Sequence, residues 1–352
     1  MSVIIPATDR PATLKCCVEA ILDAPESPEE LIVVDSPAGS GPAAARNAGA
    51  AEATSPVLVF VDSDVVVRRD VFQRLRLAFA ADPELVATFG SYDDAPSPHG
   101  AVSTFRNLLH HHMHQRSGGE ASTFWAGLGA IRRDAFFAAG GFDDERYPVP
   151  SVEDIELGLR LHAAGARIRL DPNIQGNHLK CWRLRDMVVT DLLHRGVPWT
   201  GLLLEHGLSS ASLNTSLRHR LSAASCAVGL CAAANGRHRL AVLLIAAFLR
   251  LNLRFYALLL RRGGARSVIA GVGLHVLHSV TALVAASLGV VLFIFAKPRP
   301  VAIGAHAPRA VGLRQSARRR KRFVRKVPRP SPRSGTRSRE PAWPASPPGT
   351  AS

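Results

Sequence analysis

Val57-Leu58-Val59-Phe60-Val61-Asp62-Ser63-Asp64 is the stretch on which the fold turns. Five consecutive apolar residues predict a strand buried on both faces, and two carboxylates one residue apart follow it at once. In an open α/β sheet, ligands bind beyond the carboxyl ends of the strands. Asp62 and Asp64 therefore stand where a substrate sits, with hard oxygen donors suited to Mg2+ or Mn2+. A divalent ion there would neutralise a diphosphate. Asp and Ser are also common turn residues, so the same three letters read, taken alone, as a solvated turn.

The neighbouring sequence repeats the pattern. Val3-Ile4-Ile5 is a short strand stopped by Pro6, and Leu14, Val18, Ile21 and Leu22 follow at helical spacing. Leu31 to Val34 is a second strand ending at Asp35. A Gly/Pro-rich turn then leads into a small-residue helix, Ala43 to Ala53. Strand–helix alternation of this kind predicts a mostly parallel sheet with right-handed crossovers. Asp35 and Asp62 then end separate strands on one edge. Residues 82–125 are less regular. Phe105 to Gln115 reads as a helix carrying His110, His111, His112 and His114, whose successive side chains point in different directions and so favour a solvated or acceptor-facing helix over a metal cluster.

The formal charge of +15 is unevenly spread. Residues 1–216 are net acidic, residues 217–296 carry nine arginines and no Asp or Glu, and in residues 297–352 Glu340 is the sole acid among many Lys and Arg. A nucleic-acid reading of this charge would rest on the tail alone, including Arg318-Arg319-Arg320-Lys321-Arg322, so no nucleic-acid partner is expected. The five cysteines lack a Cys-x-x-Cys spacing and are odd in number, which argues against structural zinc and a disulfide framework and suits reduced, cytoplasm-facing thiols. Ser2 to Pro6 lacks the charged start and long apolar core of an export signal, so the soluble part is expected in the cytoplasm.

From Leu221 the composition becomes apolar. Leu221 to Ala234 and Leu240 to Leu251 are short apolar segments. Ser267 to Ala296 has no acid, Lys or Arg and is long enough to span a bilayer with tilt. Between them, Asn252 to Arg262 sets Arg254, Arg261 and Arg262 beside Phe255, Leu258 and Leu259, an interfacial amphipathic pattern. The expectation is a cell-membrane, multi-pass chain. Residues 1–216 form a catalytic domain, 217–296 a membrane region of two or three spans plus that interfacial helix, and 297–352 a disordered basic Pro/Arg/Ser-rich tail lying on anionic lipid.

Four further segments carry chemistry: Val3 to Arg10; Ile32 to Asp35 with Ala45-Arg46-Asn47-Ala48-Gly49; Phe124-Trp125-Ala126-Gly127 with Gly140-Gly141-Phe142-Asp143; and Val152-Glu153-Asp154 opening an amphipathic helix. In this order and spacing the set resembles a family-2 glycosyltransferase of the GT-A (Rossmann-like) nucleotide-sugar-binding fold, over about residues 2–200. The resemblance implies that Asp35 bonds the nucleotide base and that Thr8, Asp9 and Arg10 lie near the nucleoside, with Pro6, Arg46 and Asp62 among the donor contacts. It implies Asp62 and Asp64 as the metal pair, Asp64 the more direct ligand, with His178 a candidate third. Glu153 and Asp154 match the catalytic pair, Asp154 as the base. Trp125, Gly127 and Trp182 fall on the acceptor side, and Lys180 and Arg183 are placed to meet phosphate. Ser36-Pro37-Ala38-Gly39 and Asp9 depart from the family's common residues.

Physical reasoning supports these roles. Sugar transfer must stabilise a departing diphosphate, which Mg2+ or Mn2+ does as a Lewis acid. The acceptor hydroxyl must lose a proton, which a carboxylate takes. One base and in-line attack imply inversion. Carboxylates in a first helical turn are also ordinary dipole partners. The expected activity is metal-assisted, inverting transfer of one sugar from a nucleotide-sugar to a hydroxyl of a lipid-linked or cell-envelope acceptor, with membrane lipids as surroundings. A polyprenyl-phosphate acceptor is the alternative, followed by a non-catalytic membrane adaptor.

Overall fold

The computed structural model describes residues 1–97, 100–207, 217–295 and 324–326. Strands β1 (Ser2–Pro6), β2 (Glu30–Val34) and β3 (Val57–Val61) alternate with helices α1 (Leu14–Leu22) and α2 (Gly41–Glu52). β4 (Val65–Val67) follows the Asp-Ser-Asp turn. Then come α3 (Val71–Ala81), β5 (Leu85–Tyr92), α4 (Ala101–Arg116), β6 (Gly119–Ala121), β7 (Leu128–Arg132), α5 (Arg133–Ala138), α6 (Glu153–Ala163) and β8 (Arg167–His178).

The strands form one sheet in the order β4-β8-β5-β7-β3-β1-β2-β9, with β6 on β8 and β9 at Val324–Lys326. β1 pairs in parallel with β2 and β3, as the alternation predicts. The sheet as a whole is mixed, which corrects the expectation of a mostly parallel one. β7 enters antiparallel between β3 and β5, and β4, β6 and β9 also pair antiparallel. A hydrophobic pattern reports burial and period; it does not report strand direction.

Alternation along β3 builds two cores. Val57, Val59 and Val61 pack with Val3, Ile5, Ile21, Phe72 and Leu75 on the α1/α3 face. Leu58 and Phe60 pack with Ile4, Ile32, Phe136 and Leu157 on the α2/α6 face. Phe60 is fully buried, with Phe124, Phe136 and Phe142 around it at centroid distances of 6.5, 5.5 and 5.2 Å. The edge carrying Asp35 and Asp62 is thus set by three parallel strands sandwiched between helices.

The remaining chain is helical. α7 (Leu184–Val189) runs into a π-helical turn (Thr190–Gly196) and α8 (Val197–His206). α9 (Leu217–Ala234), α10 (His238–Leu251) and α11 (Leu253–Phe295) follow, α11 broken at Gly264, whose φ is +70°. Among the described residues, α11 alone is long and apolar enough to cross a membrane, with a window of mean hydropathy 2.2. At 1.5 Å per residue, the 14 residues of α10 reach about 21 Å, short of a hydrocarbon core of about 30 Å.

The segment expected to lie at a lipid interface is the first arm of α11. There Phe255, Tyr256, Leu258 and Leu259 are buried with Phe105, Leu108 and Met187. Its apolar stripe is covered by α4 and α7, which supply the apolar surface that lipid would otherwise provide. Of the tail expected to be disordered, Val324–Lys326 pairs with Ile32–Val34; its other residues lie outside those described.

Candidate functional site

Asp62, Ser63 and Asp64 form the turn between β3 and β4. The turn is closed by Val65 N donating to Asp62 O at 3.0 Å, while Asp62 N donates to Gly127 O at 3.0 Å. β4 pairs antiparallel with the end of β8, setting His178 opposite Val65. Leu179 N donates to Asp64 O at 2.8 Å. This register brings His178 Nε2 to 3.4 Å from Asp64 Oδ2.

The far ring nitrogen of His178 is engaged as well. Nδ1 lies 2.7 Å from Asn107 Oδ1 on α4. Nδ1–H donates to that amide oxygen, which fixes the ring with Nε2 turned toward Asp64, and a metal there would take the Nε2 lone pair in place of a proton. Burial alone would raise the Asp64 carboxyl, but the His178 hydrogen bond and the charges of His178 and Lys180 hold it below its ordinary range. The Asp64 carboxylate and His178 Nε2 face each other, with the imidazole oriented by Asn107 as a second partner. That donor set suits Mn2+ or Mg2+.

Asp62 is placed differently. Its Oδ1 accepts from Arg46 Nη2 at 2.7 Å, and Arg46 Nη1 donates to Glu153 Oε1 at 2.8 Å. Arg46 is buried, and its Nε has no partner among the described residues. Burial would lower its pKa, yet the charges of Asp62, Glu153 and Asp154 hold it above the ordinary value. Asp62, Asp64 and His178 do not close into a three-ligand group; among the described residues no cluster of three or more His, Cys, Asp or Glu is set to hold a metal. The structure supplies two facing donors, Asp64 and His178, with Asp62 committed to Arg46.

Arg46 and Glu153 also differ from the sequence expectation. Arg46, expected as a donor contact, is a buried clamp between two sheet-edge elements. Glu153 has both oxygens engaged, Oε1 by Arg46 and Oε2 by Ser151 N at 2.9 Å. It is the buried counter-ion of Arg46. Asp154 is half-buried, its Oδ2 accepting from Ala126 N at 3.0 Å and its Oδ1 from Ile155 N at 2.8 Å. Each oxygen keeps a lone pair. Burial, followed by the charge of Glu153, pushes Asp154 up to about 6.

Gly158 allows this placement. A Cβ there would meet the Thr123–Phe124 backbone, so α6 lies directly against the loop that carries Ala126. Gly127 has a comparable reason. The space its Cβ would fill is taken by the indole of Trp125, not held open for a ligand's approach.

The nucleoside side is simpler. Pro6 ends β1 and Thr8 is buried, with Thr8 O accepting from Gly39 N at 3.3 Å. Asp9 and Arg10 are exposed at the same edge, Arg10 with φ +49°, and Asp35 is half-buried beyond β2.

Trp125 and Trp182 occupy different surroundings. Trp125 joins Tyr92, His110 and His114, with centroid distances of 5.0, 4.6 and 5.4 Å. Tyr92 stacks on His178 at 4.2 Å. Trp182 lies between Arg106 and Lys180, at 4.7 and 4.4 Å from its ring.

The sequence reading assigned no role to Tyr92, Asn107, Arg106 or Asp191. Asp191 accepts from Arg106 and is bonded by His278 of α11 at 2.8 Å. Burial opposes its ionisation, but the His278 hydrogen bond and Arg106 hold its carboxyl down at about 2. The histidine run was the one signal pointing at α4. Its members are packed instead of solvated: His111 Nδ1 meets Tyr92 O at 2.9 Å and His114 Nδ1 meets Gly90 O at 2.8 Å.

Residues 36–137 match Glycosyl transferase family 2. Over 175 residues the chain is 32% identical to the pre-mycofactocin glycosyltransferase of Mycobacterium tuberculosis, in strains CDC 1551 / Oshkosh and ATCC 25618 / H37Rv. That match covers 47% of this chain and 36% of the relative, so the chain spans about a third of the curated relatives it matches. Among solved structures it resembles the mannosyltransferase PcManGT from Pyrobaculum calidifontis in complex with GDP-Man and Mn2+. The identity is 17% and the TM-score 0.51, over 80% of this chain and 86% of that one. At that identity the likeness establishes the fold, a mixed α/β sheet of the GT-A type.

Proposed function

We propose that the chain is a family-2 glycosyltransferase that moves one sugar from a nucleotide-sugar to a hydroxyl of a membrane-presented acceptor, with inversion at the anomeric carbon. One observation carries the reading. Asp64 and His178 face each other at 3.4 Å on one edge of the sheet, and Asp154 stands beside them across the Arg46 clamp with its carboxyl pushed up to about 6. A carboxylate–imidazole pair and a second carboxylate joined through one buried arginine support a diphosphate-binding half and a base, as the reaction requires.

The roles follow from the side chains. Thr8, Asp9, Arg10 and Asp35 border the nucleoside half. Asp64 and His178 would hold Mg2+ or Mn2+, with diphosphate oxygens and water completing the shell. That ion would supply Lewis-acid stabilisation of the leaving diphosphate. Lys180, whose charge acts on Asp64, adds a cation on the same side. The acceptor O–H gives its proton to an Asp154 oxygen as the oxygen bonds C1, and the C1–O bond to the diphosphate breaks with its electron pair leaving on the phosphate. Arg46 holds Asp62 and Glu153 through its two Nη groups, and Asp154 is left as the carboxylate with no cation bonded to it among the described residues.

Residues 1–216 form the catalytic unit in this reading, residues 217–296 the membrane-associated part and residues 297–352 a basic tail on anionic lipid. The exposed apolar end of α11, Val290 to Phe295, supports attachment at a membrane. An acceptor bound to lipid or to the cell envelope suits that placement.

A panel of nucleotide-sugars tests the proposal. Mn2+-dependent thermal stabilisation and slow donor hydrolysis are expected with one base and sugar, both lost in Asp64→Ala. Turnover, but not donor binding, is expected to be lost in Asp154→Asn. No stabilisation by any donor would sink the proposal. Full acceptor turnover in Asp154→Asn would transfer it to a phosphate acceptor, which is already ionised.

A further inference from the structure

β8 leaves the sheet at His178, and the chain from His178 to Trp182 is strapped to one face of α4. At one end Asn107 holds the His178 ring through Oδ1, and its Nδ2 donates to His178 O at 3.4 Å. At the other, Trp182 N donates to Ser103 Oγ at 2.8 Å. Residues three and four apart are neighbours on a helix, so Arg106 stands beside both fastenings. Its guanidinium lies 4.7 Å from the Trp182 ring centroid. Lys180 Nζ lies over the same ring at 4.4 Å. Leu179 N, one residue earlier, donates to Asp64 O at 2.8 Å, which sets the Lys180 backbone beside Asp64.

Arg106 is held in turn from the other side. Its Nη1 donates to Asp191 Oδ1 at 2.5 Å, and both side chains are buried. The second oxygen of Asp191 accepts from His278 Nδ1 at 2.8 Å. His278 belongs to α11, the helix long and apolar enough to cross a membrane. That helix is closely seated here. A Cβ on Gly196 of the π-helical turn would meet Ala285, and one on Gly289 would meet Thr200. Phe105, next to Arg106, meets the rings of His275 and His278 at 6.1 and 6.4 Å. Every step from α11 to Lys180 is therefore a direct contact: His278 to Asp191, Asp191 to Arg106, Arg106 to Trp182, and Trp182 to Lys180.

Two cations on one indole repel each other unless one of them is neutralised. Asp191 neutralises Arg106, which lets Lys180 share the ring. A lysine ammonium rides on a flexible stem and loses rotamer freedom when it grips an anion. A stem already ordered on an aromatic face loses less.

We propose that Asp191, Arg106 and Trp182 are positioning residues that hold the Lys180 ammonium ready for the donor's diphosphate, and that His278 makes this hold depend on the seating of α11. The proposal rests on the glycosyl-transfer reading and adds to it how the diphosphate half is tied to the membrane-associated helix. Trp182 serves the donor through Lys180. Contiguous contacts alone do not prove coupling, so the test is a double-mutant cycle.

Calorimetry on the full chain in detergent with Mn2+ compares a nucleoside diphosphate with its monophosphate, using the base that stabilises the chain most. The ratio of the two affinities reads the contact to the outer phosphate and is blind to a general loss of folded protein. Lys180→Met is expected to lower the ratio roughly tenfold, the size of one hydrogen bond to a charged group. Trp182→Leu, Asp191→Asn and His278→Ala should lower it in the same direction. Trp182→Phe keeps a ring face and His278→Asn keeps an N–H, so each should lower it less than the harsher change at its position. In a chain already carrying Lys180→Met, His278→Ala should change the ratio no further. An unchanged ratio in Lys180→Met, Trp182→Leu or His278→Ala overturns the proposal. So does an equal loss from His278→Ala with and without Lys180→Met, which would make the effect of α11 independent of this contact. If His278→Ala does not fold, Asp191→Asn takes its place in the cycle. A chain that binds neither nucleotide refutes the glycosyl-transfer reading instead. Inorganic pyrophosphate titrated into the same variants then decides the network, which fails if pyrophosphate does not bind or binds Lys180→Met equally well.

Discussion

Arg46 Nη1 donates to Glu153 Oε1 at 2.8 Å although 107 residues separate them, and both side chains are about 5% exposed. The same guanidinium holds Asp62 through Nη2. This buried pair ties the carboxylate that follows β3 to the start of α6.

Removing the clamp is therefore expected to be severe. Arg46→Leu leaves the buried Glu153 and the half-buried Asp62 without their cation, and breaking a buried pair from one side costs about 3–5 kcal/mol. Thermal unfolding should show a large fall in midpoint. Arg46→Lys keeps the charge but loses the fork and should fall between. A midpoint unchanged in Arg46→Leu would show that the pair is not holding the site.

The pH profile of turnover should report Asp154. Its carboxyl is raised to about 6, so the base is ionised above that pH and protonated below it. With an acceptor hydroxyl, log kcat/KM is expected to fall with unit slope below about pH 6 and to level off above it. Glu153→Gln removes the like charge that helps raise Asp154, so the acid limb should move to lower pH. A limb that stays in place in Glu153→Gln contradicts that electrostatic account.

Asn107 should matter to metal affinity without touching the metal. Its Oδ1 fixes the His178 ring from the far side, and loss of such an orienting partner typically costs about 10–100-fold in metal affinity. Asn107→Leu is expected to weaken Mn2+ binding in that range, measured by paramagnetic resonance on the nucleotide-bound chain. His178→Ala should weaken it at least as much. If Asn107→Leu binds Mn2+ normally, His178 is not a ligand.

Gly158 offers a test of packing. A Cβ at this position overlaps the Thr123–Phe124 backbone, and overpacking of this kind costs about 1–3 kcal/mol. Gly158→Ala should push α6 outward, lengthen the Asp154–Ala126 hydrogen bond and lower kcat more than it changes donor binding. Equal kcat in Gly158→Ala would mean that the helix tolerates displacement.

Much of this was legible from the chain itself. The period-2 alternation in Val57 to Val61 predicts both faces of β3, and Leu58 and Phe60 do face the opposite core from Val57 and Val59. The carboxylates after β3 and at the head of α6 were identifiable because chemistry constrains residue type at strand ends and helix starts. Arg46 was read as a donor contact since its sequence neighbourhood says nothing of Glu153. Gly127 was read as an approach point because a glycine does not announce which neighbour fills its missing side chain. The apolar stripe of the first arm of α11 was read as lipid-facing, since amphipathicity reveals a buried face but not what buries it.

The sequence by itself determined the alternation of elements, the strand-end carboxylates and the apolar character of the C-terminal third, because these depend on local period and composition. Only the tertiary structure decided that β7 runs antiparallel and that Arg46 commits Asp62 and Glu153 while leaving Asp154 raised to about 6. Those outcomes depend on which distant groups meet at a few ångströms. A charge's partner, and hence its pKa and its role, is a property of three-dimensional distance that no spacing along the chain contains.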